Sequence, residues 1–323
     1  MKIVFAGTPA NAARTLEALL AGPYEVVAVL TRPDAPVGRK RVLTPSATAI
    51  VAERAGVPVF KANTVTPELA EQLRATGAQL GVIVAYGALL KRFALDALPL
   101  GWLNLHYSLL PDWRGAAPVQ NAILAGDVET GVTLFQLDEG MDTGPILDVV
   151  STQIQPGETS GRLLARLTEL GISLLDQSLP LVAAGIARFK PQPTDGTQRV
   201  ASKLGREQGR IDWSAAAGEI ENRVLAMNPE PMAHATLGGE NFRILDARAV
   251  HSASGASNSG EGVTSAGEPG MAPGTLSFEP KRLLVACGSG TLLELLQVQP
   301  AGKNAMSAMD WARGAAGKVS HLG

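Results

Sequence analysis

Apolar positions follow two rhythms along this chain. In the first half, short uninterrupted apolar runs alternate with stretches whose apolar residues recur at helical spacing. Residues 2–6 form the first run. Leu16, Leu19 and Leu20 then supply one face of a helix that Gly22-Pro23 stops. Residues 25–30, 80–84 and 102–105 are further runs with little alternation, the pattern of strands covered on both faces. Thr8-Pro9, Thr44-Pro45 and Thr66-Pro67 each offer a capping threonine followed by proline in a first helical turn. The last two precede helices predicted over 47–55 and 68–75. Residues 131–136 and 146–153 read as later strands, and 160–184 as a long helix. This βαβα order predicts an α/β domain with a mostly parallel sheet and right-handed crossovers.

The rhythm changes near Arg188. Lys190-Pro191-Gln192-Pro193-Thr194-Asp195-Gly196 resists regular structure and reads as a linker. Beyond it, Ile220, Val224 and Met227 predict a short helix ending at Asn228-Pro229. Short strand-like runs follow at 233–237, 241–249, 274–278, 282–286 and 292–299, suggesting a small barrel or sandwich. Residues 251–273, rich in Ser, Gly and Ala, read as a surface insertion. The expected division is 1–189, a linker at 190–203, and 204–323. A length of 323 residues suits two domains.

Composition narrows the chemistry. Hydrophobic residues make up 46% of the chain but aromatic residues only 4%, so the core must be built from Leu, Val, Ile and Ala. The single cysteine, Cys287, excludes an internal disulfide and any multi-cysteine zinc site. Its setting in Val285-Ala286-Cys287 reads as a buried, inert thiol. His234, His251 and His321 lack ligand spacing to one another or to His106, so no metal is expected. No apolar run approaches the roughly 20 residues of a membrane span, and the N-terminus does not read as a signal peptide. A cytoplasmic, membrane-free location is the expectation. The net charge of −2 makes no global case for nucleic acid.

The candidate chemistry lies where the 102–105 run breaks into Leu103-Asn104-Leu105-His106-Tyr107-Ser108-Leu109-Leu110-Pro111. Side chains two apart on a strand share a face, so an amide and an imidazole project together beyond a strand's carboxyl end. Asp142 follows in Met141-Asp142-Thr143-Gly144. Asn104 can donate to a developing oxyanion, His106 can donate or shuttle a proton, and Asp142 can orient His106 or collect a proton. The plainer alternative is a capped strand end, a satisfied histidine and an Asx-turn. No Gly-x-Ser-x-Gly elbow surrounds Ser108, so a serine nucleophile is disfavoured. Ala6-Gly7-Thr8-Pro9 lacks the second and third glycines of a dinucleotide fingerprint and reads as a tight strand-to-helix turn. Arg39-Lys40-Arg41 suits a solvated loop and a phosphate contact equally.

Asn104-x-His106, the run Ser108-Leu109-Leu110-Pro111-Asp112-Trp113-Arg114-Gly115-Ala116-Ala117-Pro118 and Gly140-Met141-Asp142-Thr143-Gly144 resemble the signature of folate-dependent formyltransferases. Arg210-Ile211-Asp212-Trp213, Asn228-Pro229 and Gln299-Pro300-Ala301-Gly302-Lys303 are similar to the C-terminal domain of the methionyl-tRNA formyltransferase family. The resemblance implies a Rossmann-like domain followed by an OB-fold-like β-barrel. It implies transfer of a formyl group from 10-formyltetrahydrofolate to the α-amino group of methionyl initiator tRNA, by a monomeric enzyme. Asn104, His106 and Asp142 would be catalytic. Ser108, Leu109, Leu110 and Pro111 would line the folate site, with Val84, Ala85, Tyr86 and Gly87 contacting the pterin. Arg39, Lys40 and Arg41 would reach the acceptor stem. From Leu204 onward ten Lys/Arg face twelve Asp/Glu, so the tRNA surface must be a stripe, with Lys203, Arg206, Arg210, Lys281 and Lys303 as its candidates. Tyr107 departs from the family pattern, where a small residue is common, and Asn304 replaces a second lysine. Alternatives are a related formyltransferase, a formyltetrahydrofolate hydrolase and a non-catalytic RNA-binding protein.

Overall fold

Ile3, Val4, Phe5 and Ala6 are fully buried because strand β1 (Lys2–Gly7) runs through the middle of a sheet. The computed structural model describes residues 1–38, 40–193, 196–250 and 271–323. Its large sheet adds β2 (Glu25–Thr31), β3 (Val59–Lys61), β4 (Leu80–Val84), β5 (Trp102–His106), β6 (Glu129–Gln136) and β7 (Ile146–Gln153). The spatial order is β7-β6-β5-β4-β1-β2-β3. The pairs among β3, β2, β1, β4 and β5 are parallel, whereas β6 is antiparallel to both β5 and β7. The mostly parallel α/β expectation is thus met. β3 was not foreseen, because Val59, Phe60 and Lys61 are too few to show a period. The chain steps from β1 to β2 on one side and returns to β4 on the other. That reversal opens a crevice beyond the carboxyl ends of β1 and β4, where such sheets bind ligands.

The three threonine-proline signals fare differently. Thr66 caps the helix Pro67–Ala75 by accepting from the Leu69 N–H at 3.3 Å. Thr8 does not cap the helix Ala10–Ala21; its hydroxyl donates across the crevice to the Tyr86 carbonyl at 3.1 Å. Thr44 does not cap either, because it belongs to a small hairpin pairing Ala35–Val37 with Val42–Thr44. Ser46, adjacent to the helix Ala47–Arg54, does so instead, accepting from the Ala49 N–H at 3.0 Å. Gly7 is required by packing. A Cβ there would lie 2.6 Å from Ala12 Cβ and 2.8 Å from the Val84 carbonyl oxygen. This is the tight turn expected of the sequence.

The described chain divides into two compact units. One comprises Met1–Pro118, Glu129–Gln153 and Leu164–Ser202, the other Val119–Val128, Ile154–Leu163 and Lys203–Gly323. The second unit is built on an antiparallel sheet of β8 (Ala233–Leu237), β9 (Glu240–Val250), β10 (Leu276–Phe278), β11 (Leu283–Ala286) and β12 (Leu292–Pro300), in the order β8-β9-β12-β11-β10. This arrangement is compatible with the OB-fold-like expectation. Ile220, Val224 and Met227 of the helix Ala217–Met227 pack with Phe242, Ile244, Leu293 and Leu295. Phe242 also meets Trp311, with ring centroids 4.8 Å apart. Cys287 follows β11 and is 4% exposed; burial pushes its thiol up to about 12. Residues 251–270 of the sequence-predicted insertion lie outside the described residues.

Trp102, fully buried on β5, donates its indole N–H to the Ala94 carbonyl at 2.9 Å and fills the space over Gly81 of β4. A methyl at Gly81 would enter the indole ring. Gly81→Ala is expected to lower unfolding stability by about 1–3 kcal/mol through overpacking, read from urea denaturation. An unchanged midpoint would show that this contact is not tight.

Candidate active site

Asn104 and His106 share the face of β5 opposite to Leu103 and Leu105. Asn104 lies between Ile83 of β4 and Phe135 of β6, and His106 is in register with Thr133 of β6. The Thr133 hydroxyl donates to the Ser108 carbonyl at 2.7 Å and accepts from the Leu110 N–H at 3.1 Å. One side chain of β6 therefore holds the chain as it leaves β5. The His106 ring stands edge-on to Phe135, with centroids 6.4 Å apart.

His106 Nε2 lies 2.9 Å from the Trp113 carbonyl oxygen. A carbonyl only accepts, so the ring proton sits on Nε2. Nδ1 then faces Asp142 Oδ2 at 3.8 Å, which is ion-pair range and too long for a hydrogen bond. The same Oδ2 accepts the Gly115 N–H at 2.8 Å. The two side chains are only 7% and 15% exposed, so solvent screens their interaction weakly.

The backbone is unusual here. Ala85, Trp113 and Asp142 adopt φ of 48°, 62° and 56°, a region that non-glycine residues seldom occupy unless their surroundings impose it. Gly115, at φ 120°, has a further constraint. Arg114–Gly115 pairs in parallel with Val200–Ala201, and a Cβ on Gly115 would lie 2.5 Å from the Ala201 carbonyl oxygen.

Asn104, His106 and Asp142 converge on one cavity of about 540 Å3. Ala85, Tyr86 and Gly87 beyond β4 form one side, and Leu137, Asp138, Gly140 and Met141 another. The Tyr86 hydroxyl donates to the Ala62 carbonyl at 2.8 Å, and burial raises the phenol above its ordinary range, keeping it neutral. Tyr107 also reaches the wall. Burial raises its phenol too, while its hydroxyl accepts from Thr168 at 3.4 Å. A larger cavity of about 890 Å3 shares Leu137, Asp138 and Gly140 but none of the three chemical groups.

Val84 and residues 108–111 are placed differently from Ala85, Tyr86 and Gly87. Val84, Ser108 and Leu110 are buried, Leu109 and Pro111 are partly exposed, and none of the five belongs to the cavity lining. The Ser108 hydroxyl donates to the Asp112 carbonyl at 2.7 Å, a bond that shapes the turn. Lys40 and Arg41 are exposed at the tip of the Ala35–Thr44 hairpin, beside the exposed Val37, Val42 and Leu43; Arg39 lies outside the described residues. On the second unit Lys203, Arg206, Arg210, Lys281 and Lys303 are all exposed. Arg206 and Arg210 share a cleft with His234 and Asn241. Sequence reasoning missed the Trp113 carbonyl and the Gly115 N–H. The signal available was the Trp113-Arg114-Gly115 run itself, whose glycine marks a close backbone approach.

Among the described residues no group of three or more His, Cys, Asp or Glu is placed to hold a metal ion. None of the described helices is long and apolar enough to cross a membrane. A mostly parallel sheet places an amide, an imidazole and a carboxylate around one cavity beyond the carboxyl ends of β4 and β5, an arrangement suited to group transfer. Residues 1–179 match the family model described as formyl transferase, and residues 203–316 match its C-terminal domain. The chain belongs to the formyl transferase family. It is 45% identical over 314 residues to the methionyl-tRNA formyltransferase of Arthrobacter sp. (strain FB24), covering 97% of each chain. It is 46% identical to that of Renibacterium salmoninarum, covering 97% of this chain and 96% of the relative. Its fold is similar to the solved N-formyltransferase of Helicobacter canadensis, with a TM-score of 0.66 at 18% identity, covering 93% of this chain and 99% of that one.

Gly115→Ala is expected to drive the 114–115 backbone away from the Ala201 carbonyl and so disturb the Gly115 N–H bond to Asp142. A displacement of about 1 Å can cost roughly a hundredfold in turnover. The check is formyl-transfer kcat beside circular dichroism; a folded variant with parental kcat would show that the Gly115 N–H is dispensable.

Proposed function

We propose that this protein transfers the formyl group of 10-formyltetrahydrofolate to the α-amino group of methionyl initiator tRNA, supporting translation initiation as a cytoplasmic monomer. The observation that carries the chemistry is the convergence of Asn104, His106 and Asp142 on one cavity. The full-length similarity to methionyl-tRNA formyltransferases supports the acceptor. The cavity suits the folate donor. Leu89, Leu90, Leu137 and Met141 give it an apolar lining, and the left-handed backbone at Ala85 and Gly87 turns peptide groups out of the strand pairing. In our reading Ser108, Leu109, Leu110 and Pro111 border the folate, and Val84, Ala85, Tyr86 and Gly87 contact its pterin.

An α-amino group titrates near ~8, so a useful fraction is a neutral nucleophile at physiological pH. Asn104 supplies an amide donor for the negative charge that develops on the formyl oxygen. His106 has one free ring position, Nδ1, because Nε2–H is committed to Trp113. It can donate to that oxygen only as the imidazolium, with the Asp142 carboxylate 3.8 Å away. As the neutral ring, Nδ1 is instead a base. His106 and Asp142 between them carry the proton released by the attacking amine toward the departing nitrogen. No acyl-enzyme is needed.

Residues 1–189 carry this chemistry in our reading, 190–203 connect, and 204–323 hold the tRNA in an OB-fold-like domain. Lys203, Arg206, Arg210, Lys281 and Lys303 would form its phosphate stripe, while Arg39, Lys40 and Arg41 meet the acceptor stem.

Asn104→Ala, His106→Ala and Asp142→Ala are each expected to lower turnover by roughly a hundredfold or more with the fold retained. Parental turnover in all three would refute the site. Supplying 10-formyltetrahydrofolate with charged initiator tRNA, with glycinamide ribonucleotide or with no amine tests the acceptor. Formylation of glycinamide ribonucleotide alone, or release of formate alone, would sink the tRNA reading.

Arg39→Ala combined with Arg41→Ala should weaken tRNA use and flatten its salt dependence by roughly one to two units of logarithmic slope. Unaltered behaviour at every salt concentration would make the hairpin tip a solvated connector.

A further inference from the structure

Gln192 is 7% exposed, and its amide is engaged at both ends. Nε2 donates to the Asp142 carbonyl at 2.9 Å and to the Gly144 carbonyl at 2.7 Å. Oε1 accepts from Arg114 Nε at 3.1 Å and Nη2 at 2.6 Å. The amide can face only one way, because a guanidinium only donates and carbonyls only accept.

These contacts close a ring around Asp142. Gly115 holds the carboxylate through its N–H, the neighbouring Arg114 holds Gln192, and Gln192 holds the Asp142 carbonyl. Asp142 has a left-handed φ of 56°, which its own residue type only partly tolerates. A buried side chain gripping the carbonyls on both sides of Thr143 keeps that conformation populated. Thr143 adds a bond of its own, its hydroxyl donating to Asp138 Oδ1 at 2.8 Å. Gln192 is itself anchored, since the nearby Lys190 exchanges both backbone hydrogen bonds with Ile146 at 2.8 Å.

We propose that Gln192 is a positioning residue for formyl transfer: bridged to Arg114, it locks the backbone at Asp142 so that the carboxylate stays set against His106. Gln192 is not among the residues lining the cavity, so it acts through Asp142. The proposal rests on the reading of Asp142 as catalytic.

The test uses the full chain with 10-formyltetrahydrofolate and charged initiator tRNA. Gln192→Glu keeps the length and the Arg114 partner but loses both N–H donors; Gln192→Leu loses both ends. Each is expected to lower kcat tenfold or more while KM for either substrate stays within twofold. In an Asp142→Asn background, Gln192→Glu should change kcat by less than twofold, because the group it positions is already gone. A kcat within twofold of the parent, a KM effect without a kcat effect, or multiplied losses in the double variant would each overturn the proposal. If both Gln192 variants unfold, Arg114→Lys decides, since it keeps the charge but not the two-pronged grip: an unchanged kcat overturns the proposal and a tenfold loss at constant KM supports it. An Asp142→Asn variant with parental turnover would defeat the catalytic reading itself. A large Asp142→Asn loss beside an unaffected Gln192→Glu defeats only the positioning role.

Discussion

A backbone carbonyl can only accept a hydrogen bond, and the one at Trp113 therefore decides which nitrogen of His106 carries the proton. Much of the site follows from that restriction. With Nε2 taken, the ring presents Nδ1 to the Asp142 carboxylate at 3.8 Å. Trp113 points its carbonyl there from a left-handed φ of 62° in the turn that follows β5. The chain then runs directly into Arg114 and Gly115, and the Gly115 N–H bonds the same Asp142 oxygen that faces His106. One orientation of one peptide group thus links the histidine, the turn and the carboxylate.

The α/β character was readable from periodicity because central strands are buried on both faces and show no alternation. Ile3 to Ala6 and Leu80 to Val84 are the clear instances. Asn104 and His106 were readable for a related reason: a strand repeats every two residues, so their common face follows from numbering alone. Ser46 was less accessible. Its role depends on Thr44 being drawn into a hairpin, and three-residue strands leave no period to detect. The left-handed Trp113 and Asp142 could not be read either, since neither is a glycine that would advertise the conformation.

The stretch after Arg188 shows a deeper limit of composition. Proline and glycine argue correctly against helix and strand over most of its described residues, yet several of these are tied to distant parts of the chain. Arg199 pairs with Asp112 at 2.8 Å and lies over the Trp113 ring at 4.3 Å, and Ala201 accepts from the Ala116 N–H at 3.1 Å. Such contacts join positions more than 80 residues apart in the chain, a separation no local window senses. Gln192 and Arg199 of this stretch bond to Arg114 and Asp112 of the turn.

The buried state of Cys287 has a practical meaning. A thiol held near 12 offers almost no thiolate at neutral pH, and it is the chain's sole cysteine. The native protein is therefore a near-silent background for maleimide or nitroxide chemistry. A single cysteine placed on the described part of the Ala35–Thr44 hairpin would take a dye alone, without first stripping the molecule of competing thiols.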